Sequence, residues 1–134
     1  MNNDVVKNFI LKSKHDLGSA KTIFQNNPDY TDTITFHSQQ TIEKVLKGFL
    51  TFHQVKAKYN HDIIRLIQDC TTIDQDFQSF LTSNIVELNE IGMSVRYDDI
   101  QNDPNKEDAF EYMELASEIS EFVLKKLSEK GFNI

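Results

Sequence analysis

The chain has 134 residues and a mass of 15.6 kDa, and its 39% hydrophobic and 26% charged residues suit a globular domain with a core rather than a disordered or fibrous protein. A single cysteine, Cys70, excludes a disulfide framework. The sequence has no apolar run long enough to span a membrane and no basic–apolar leader, so we expect one domain over residues 1–134 in the cytoplasm. The net charge is −7 and is unevenly distributed: residues 1–67 contain nine Lys and Arg and six Asp and Glu, whereas residues 68–134 contain five Lys and Arg and fifteen Asp and Glu. This distribution excludes a uniformly basic nucleic-acid-binding surface.

Apolar residues recur at helical spacing in the first half of the chain. The first predicted helix carries its apolar stripe from Val6 to Phe24 and ends at residues 26–29, because Pro28 cannot continue the hydrogen-bond ladder. The second is expected from about Asp32 to His53. Gly48 lies inside it at a cost of about 1 kcal/mol relative to alanine, so we expect a neighbouring helix to approach closely there.

The second half of the chain predicts three further helices. A short connection over residues 54–60 leads to a third helix, from Asn60 or His61 to Cys70. The fourth keeps its apolar register from Phe77 to Val95, and a polar loop follows from Tyr97 to Asn105. Asn105 is expected to cap the last helix at its start, and Gly131 suits the position just beyond its end.

The pattern as a whole predicts an all-α fold. No segment alternates strictly between apolar and polar residues, and no Asn-Gly or Asp-Gly hairpin signal occurs. Four long helices and one short one in a chain of this length indicate an antiparallel up-and-down four-helix bundle plus one short helix. The positive first half and the acidic second half either pack together and partly cancel, or leave a local positive face.

Most standard sites of chemistry are absent from the sequence. It contains no glycine-rich phosphate loop, no cysteine pair and no His-Glu-x-x-His motif. None of the four histidines lies three or four residues from another, so no helical pair of metal ligands exists. We therefore expect neither a metal nor a cofactor. The histidines are His15, His37, His53 and His61.

A polar stripe on the second predicted helix is the clearest candidate site. His37, Gln40, Lys44 and Lys47 step by three, four and three residues, so they project from one side of the helix, with Glu43 beside them. Imidazole, amide and ammonium groups together can hold a phosphate or the edge of a base. The alternative is an ordinary solvated face with a Glu–Lys pair.

The same helix carries a family resemblance. Residues 36–50 read Phe-His-Ser-Gln-Gln-Thr-Ile-Glu-Lys-Val-Leu-Lys-Gly-Phe-Leu, which is similar to the second-helix signature Phe-His-x-Gln-Gln-x-x-Glu-Lys-x-Leu-Lys of the HEPN domain, the nucleotide-binding domain of higher eukaryotes and prokaryotes. Three weaker matches occur in the right order, so the likeness covers nearly the whole chain. They are His15-Asp16-Leu17-x-x-Ala20, His61-Asp62 and Arg96-Tyr97.

The resemblance implies a helical bundle, commonly a homodimer, in RNA metabolism, nucleotide binding or toxin–antitoxin pairs, often with a minimal nucleotidyltransferase as partner. Many family members are metal-independent ribonucleases with Arg followed by four to six residues and then His. Here the positions after Arg96 are Gln101, Asn102 and Asp103, so the ribonuclease histidine is missing. We therefore expect a non-catalytic nucleotide- or RNA-associated module.

The expected ligand-binding residues follow from the matched motifs, with Lys44 and Arg96 as the anion contacts. They are His37, Gln40, Glu43, Lys44, Lys47, Arg96 and Tyr97, with His61 and Asp62 as secondary candidates.

For four of these residues the sequence leaves the role open. Glu43 would orient Lys44 or Arg96, Tyr97 would either pack at a dimer seam or stack on a base, and Gln40 would either bind or fix the helix register. Asp62 would alternatively offset the helix dipole.

Two other functions remain open. One is an RNA-cleaving toxin that uses His37 or His61 as acid and base. The other is a structural module whose acidic last helix pairs with a basic partner.

Overall fold

The computed structural model of the protein describes residues 3–57, 60–93 and 103–133, and every regular element within these ranges is helical. The elements are α1 (Asn3–Asn26), α2 (Thr31–Phe52), α3 (Ile63–Ile73), a 3₁₀-helix (Gln75–Phe80), α4 (Ser83–Met93) and α5 (Lys106–Glu129). The all-α prediction is confirmed. No helix among these is both long and apolar enough to cross a membrane.

The first two helices form an antiparallel pair. The chain reverses over residues 27–30, where the amide of Tyr30 donates to the carbonyl of Asn27 at 3.0 Å, and α2 then returns along α1. A Cβ atom at Gly48 would lie 2.9 Å from Cδ1 of Ile10. The predicted close approach at this glycine is therefore confirmed, and α1 is the helix that makes it.

Helix α2 lies at the centre of the fold, in contact with α1, α3, α4 and α5. Most of its apolar side chains are buried in the main core, where Phe49 packs against Phe77 with ring centroids 4.6 Å apart. Several polar residues of α2 are buried as well. Because a buried charged group needs a partner, we expect the buried Glu43 and Lys47 of this helix to be paired.

Two predicted helices had wrong boundaries. The helix predicted from Phe77 to Val95 is divided at Leu81, whose φ of −79° and ψ of 75° leave the helical region, into the 3₁₀-helix and α4; Val95 lies outside the described residues. Phe77 remains buried across the break, which is why the apolar spacing continued through it. Helix α3 begins at Ile63 rather than at residue 60 or 61, and it extends to Ile73 rather than ending at Cys70.

Both predicted ends of α5 are confirmed. The side chain of Asn105 accepts a hydrogen bond from the amide of Asp108 at 2.8 Å, which caps the first turn. At the other end Gly131 has a φ of 88°, and the amide of Phe132 donates to the carbonyl of Leu127 at 2.9 Å. This is the Schellman arrangement, in which a left-handed residue ends the helix and satisfies its last carbonyls.

Candidate functional site

On the side of α2 that faces α1, two predicted site residues share one carboxylate. Asp16 of α1 is only 7% exposed. One of its oxygens lies 2.9 Å from Nδ1 of His37, and the other accepts a hydrogen bond from Nζ of Lys44 at 2.5 Å. His37 and Lys44 are seven residues apart, so they lie about 20° from each other around the helix and reach the same partner. We call these three residues the Asp16 cluster.

A second carboxylate, Glu43, gathers a different set of side chains. It is 4% exposed, and its Oε2 accepts a hydrogen bond from Nζ of Lys47 at 3.1 Å. Both of its oxygens lie 3.1 Å from Nδ1 of His61, in the segment before α3. Nε2 of Gln39 donates to Glu43 more weakly, at 3.5 Å. These four residues are the Glu43 cluster, and its Glu–Lys pair is buried rather than solvated.

The predicted stripe is therefore divided between two clusters. Lys47 lies about 80° from His37 around the helix axis but only about 40° from Glu43, which explains its choice of partner. Gln40 belongs to the same side, because its Nε2 donates to Oε1 of Gln39 at 2.8 Å. The structure brings His37 and Lys44 together at one carboxylate and places Gln40 and Lys47 in the network of the other.

Both clusters have the same electrostatic design. Each combines a buried carboxylate with one lysine and one histidine, so the formal charge of each cluster is zero when the imidazole is neutral and +1 when it is protonated. Each histidine contacts its carboxylate through Nδ1, and among the residues that the structure describes Nε2 has no hydrogen-bond partner. The His61 side chain is 67% exposed and that of His37 is 25% exposed. In both clusters a buried carboxylate therefore holds the imidazole of a histidine that is at least partly exposed to solvent.

The start of α3 fixes the position of His61. Asp62 is the N-cap residue, and its Oδ1 accepts hydrogen bonds from the amide of Arg65 at 3.2 Å and from Nδ2 of Asn89 in α4 at 3.0 Å. Asn89 in turn accepts from the amide of Ile63 at 2.8 Å. The Asp62 carboxylate therefore acts as a helix cap that joins α3 to α4, and this joint holds the preceding His61 beside Glu43.

The end of α4 packs against the Glu43 cluster. A Cβ atom at Gly92 would lie 3.1 Å from Cγ of Gln39, so the backbone of α4 lies against this side chain. Arg96 and Tyr97 come three and four residues after the end of α4 and lie outside the described residues. The expected cavity shared by Arg96 and the α2 stripe is therefore a prediction that the described residues leave untested.

Sequence reasoning assigned no role to Asp16 or Gln39. Asp16 appeared only within the first-helix resemblance, yet it occupies a core position of α1, between buried Ser13 and buried Ala20. A carboxylate in the register of an apolar stripe is the signal that could have identified it, because such a group needs a buried cationic partner. The partner itself, on another helix, could not be read from that pattern.

A cavity of about 530 Å³ lies elsewhere, at the end of the bundle where α2, α3 and α5 end. Its lining includes His53, Lys126 and Lys130. Burial and the nearby charge of Lys130 lower the pKa of His53, with a smaller opposing effect from Asp74. His53 lies about 24 Å along α2 from His37, so this cavity is separate from the Asp16 cluster. Lys126 is already paired with Asp74 and Asp76, each at 2.8 Å.

Comparisons with known proteins match the whole bundle. A sequence model of the HEPN domain family matches residues 6–127 of the chain. Among solved structures, the crystal structure of an archaeal HEPN homologue superposes with a TM-score of 0.62 at 23% sequence identity, covering 91% of this chain and 97% of that one. A likeness at this identity shows a shared fold. A search of curated proteins gave no match.

Proposed function

Because this chain belongs to the HEPN family, whose domains are nucleotide-binding or ribonuclease-type modules, we propose that it is a non-catalytic module that binds a nucleotide or RNA along the polar face of α2. The Asp16 cluster carries this proposal. A buried carboxylate holds Lys44 and His37 at a partly exposed position, where their remaining N–H groups can meet a phosphate. The missing histidine at residues 101–103 supports the non-catalytic role.

The energetics of burial support a binding role over a purely structural one. Taking a carboxylate and an ammonium group out of water costs about as much as their attraction returns, so a buried ion pair is weak evidence for stability. Apolar side chains of similar volume would join α1 to α2 at least as well. The polar groups instead hold donors at the surface in fixed positions, which lowers the entropy cost of ligand binding.

We extend the proposed site to Arg96 and Tyr97, which lie outside the described residues. Gly92 packs against Gln39, so α4 ends beside the Glu43 cluster, and the chain reaches Arg96 three residues later. We assign Arg96 to a second phosphate contact, and Tyr97 either to packing at a dimer seam or to stacking on a base. Lys47, whose side chain is buried against Glu43, would hold Glu43 in position rather than contact the ligand.

Calorimetric titration of the full chain with ATP, and separately with a single-stranded RNA oligonucleotide, tests the proposal. We expect Lys44→Ala to weaken binding about tenfold, the equivalent of about 1.4 kcal/mol, because it removes a charge-assisted contact. Lys125→Ala is the matched control, since Lys125 is an exposed lysine of α5, and it should leave the affinity unchanged. If neither ligand gives a heat of binding at millimolar concentration, the proposal is wrong.

One observation favours a second candidate function, metal-independent RNA cleavage. In both clusters the histidine contacts its carboxylate through Nδ1, and a carboxylate there holds the imidazole with Nε2 ready to exchange a proton. RNA incubated with the protein and a chelator should then be cleaved, and His37→Ala or His61→Ala should abolish the cleavage. Intact RNA after incubation with wild-type protein would exclude this candidate.

We also propose that the protein forms a homodimer and acts with a minimal nucleotidyltransferase in a toxin–antitoxin-type pair, as family membership implies. Light scattering coupled to gel filtration measures the first, and a mass of 15.6 kDa, that of one chain, would contradict it. Co-purification with the product of the neighbouring reading frame tests the second, and a neighbour unrelated to nucleotidyltransferases would contradict it.

A further inference from the structure

Phe36 is the exception on a helix that otherwise buries its large apolar side chains. Within the described part of α2 it is the one large hydrophobic residue that stays open to solvent, at 53% exposure. Its neighbours Ile34 and Ile42, by contrast, are fully buried. Leaving an aromatic ring in water forgoes the free energy that burial would return, so contact of this ring with a ligand would be favourable.

The surroundings of Phe36 are those of the proposed site. Its ring lies edge-on to the imidazole of His37, with centroids 5.3 Å apart and planes at 73°. Gln39, Gln40 and Glu43 follow at three, four and seven residues, the spacings that place side chains next to one another along a helix face. The ring therefore lies beside the Asp16 cluster, about two helical turns before Glu43 on the same face of α2.

We infer that Phe36 is a stacking platform for a nucleobase, and that the ligand of this face is a nucleotide or the end of an RNA strand rather than a bare phosphate. This inference rests on the proposed function, and it adds the part of the ligand that the ammonium and imidazole groups do not explain. An aromatic face accepts any base by stacking, while the adjacent nitrogen donors meet the phosphate. The amide of Gln40 retains an unshared oxygen that can meet a base edge.

The chain offers a clean optical test, because it contains no tryptophan. Phe36→Trp introduces a single reporter that keeps an aromatic platform, and Phe110→Trp places the same reporter at another exposed phenylalanine, on α5. ATP should quench the first variant strongly and the second hardly at all, whereas inorganic tripolyphosphate should quench neither. Equal responses of the two variants to ATP would overturn the inference.

A calorimetric comparison separates this inference from the proposed function. Phe36→Leu keeps an apolar side chain and removes the ring, so it should weaken ATP binding at least about fivefold and leave tripolyphosphate binding unchanged. Phe36→Tyr should retain wild-type affinity for ATP. Unchanged ATP binding by Phe36→Leu overturns the platform alone, and so does an altered oligomeric state of that variant, which would assign the ring to contact with a second copy. Failure of the wild-type protein to bind either ligand overturns both proposals.

Discussion

Removing the carboxylate of Glu43 is expected to be far more damaging than removing an exposed one. The Lys47 side chain is 10% exposed, so Glu43→Gln leaves an ammonium group in the core without its counter-charge. Breaking one side of a buried ion pair costs about 3–5 kcal/mol. For 134 residues, an unfolding entropy of about 2.1 cal/mol/K per residue converts this loss into a fall in Tm of about 11–18 °C.

The other variants of the series locate the cause of that loss. His61 is mostly exposed and regains water when Glu43 is lost, so the buried lysine accounts for most of the cost. Replacing both residues, as in Glu43→Leu with Lys47→Leu, should recover most of the lost stability, because an apolar pair of similar volume is often neutral. Asp16→Asn should cost only about 1–2 kcal/mol, since its partners Lys44 and His37 are partly exposed.

Equilibrium unfolding in urea, monitored by circular dichroism, measures all of these free energies. Glu121→Gln, at an exposed position of α5, is the control and should change the unfolding free energy by less than about 0.5 kcal/mol. A loss below about 1 kcal/mol for Glu43→Gln would show that the buried ammonium group does not need this counter-charge. So would a double variant no more stable than Glu43→Gln, because the buried charge would then not be the cause.

Three further predictions use other parts of the molecule. Gly18→Ala should raise the unfolding free energy by about 0.5–1 kcal/mol, since a Cβ there meets nothing within 4 Å. Gly48→Val should lower it by about 1–3 kcal/mol, because the larger side chain overpacks against α1. Unfolding in urea measures both changes and distinguishes their signs. Burial and Lys130 lower the folded-state pKa of His53, so the stability that it contributes is present above the unfolded value of 6.5 and is lost as the pH falls through the folded value. His53→Gln should therefore flatten the fall in stability between neutral and mildly acidic pH. Equal slopes of unfolding free energy against pH in the two proteins would contradict this. Burial raises the pKa of the Cys70 thiol, so a thiol reagent should react with native protein only at the rate of opening, and immediate labelling would show the site to be accessible.

The helical periodicity of the sequence was sufficient to predict the all-α fold and several helix ends. Pro28, Asn105 and Gly131 act through local backbone chemistry, so their effects can be read from neighbouring residues alone. The break at Leu81 was missed because apolar spacing reports which residues are buried and not whether the backbone stays helical between them. The hydrogen bond that joins Asp62 to α4 was missed as well, because its donor Asn89 is 27 residues away in the chain.

The candidate site was predicted less completely, because its geometry depends on contacts between helices. The second-helix motif indicated His37, Lys44 and Glu43 as polar residues of one face. It could not indicate that Asp16 of α1 would take the first two, since that pairing spans 28 residues and depends on how α1 packs on α2. It also could not indicate that Lys47, which the stripe alone placed beside Lys44 as an equivalent cation, would be buried against Glu43.

Nuclear magnetic resonance of the isotope-labelled full chain, titrated with ATP, tests the central claim most directly. We expect the largest amide shifts on Asp16, on α2 between Phe36 and Lys47, and on His61. Shifts confined to the cavity around His53 and Lys130, or no shifts at millimolar ATP, would contradict it.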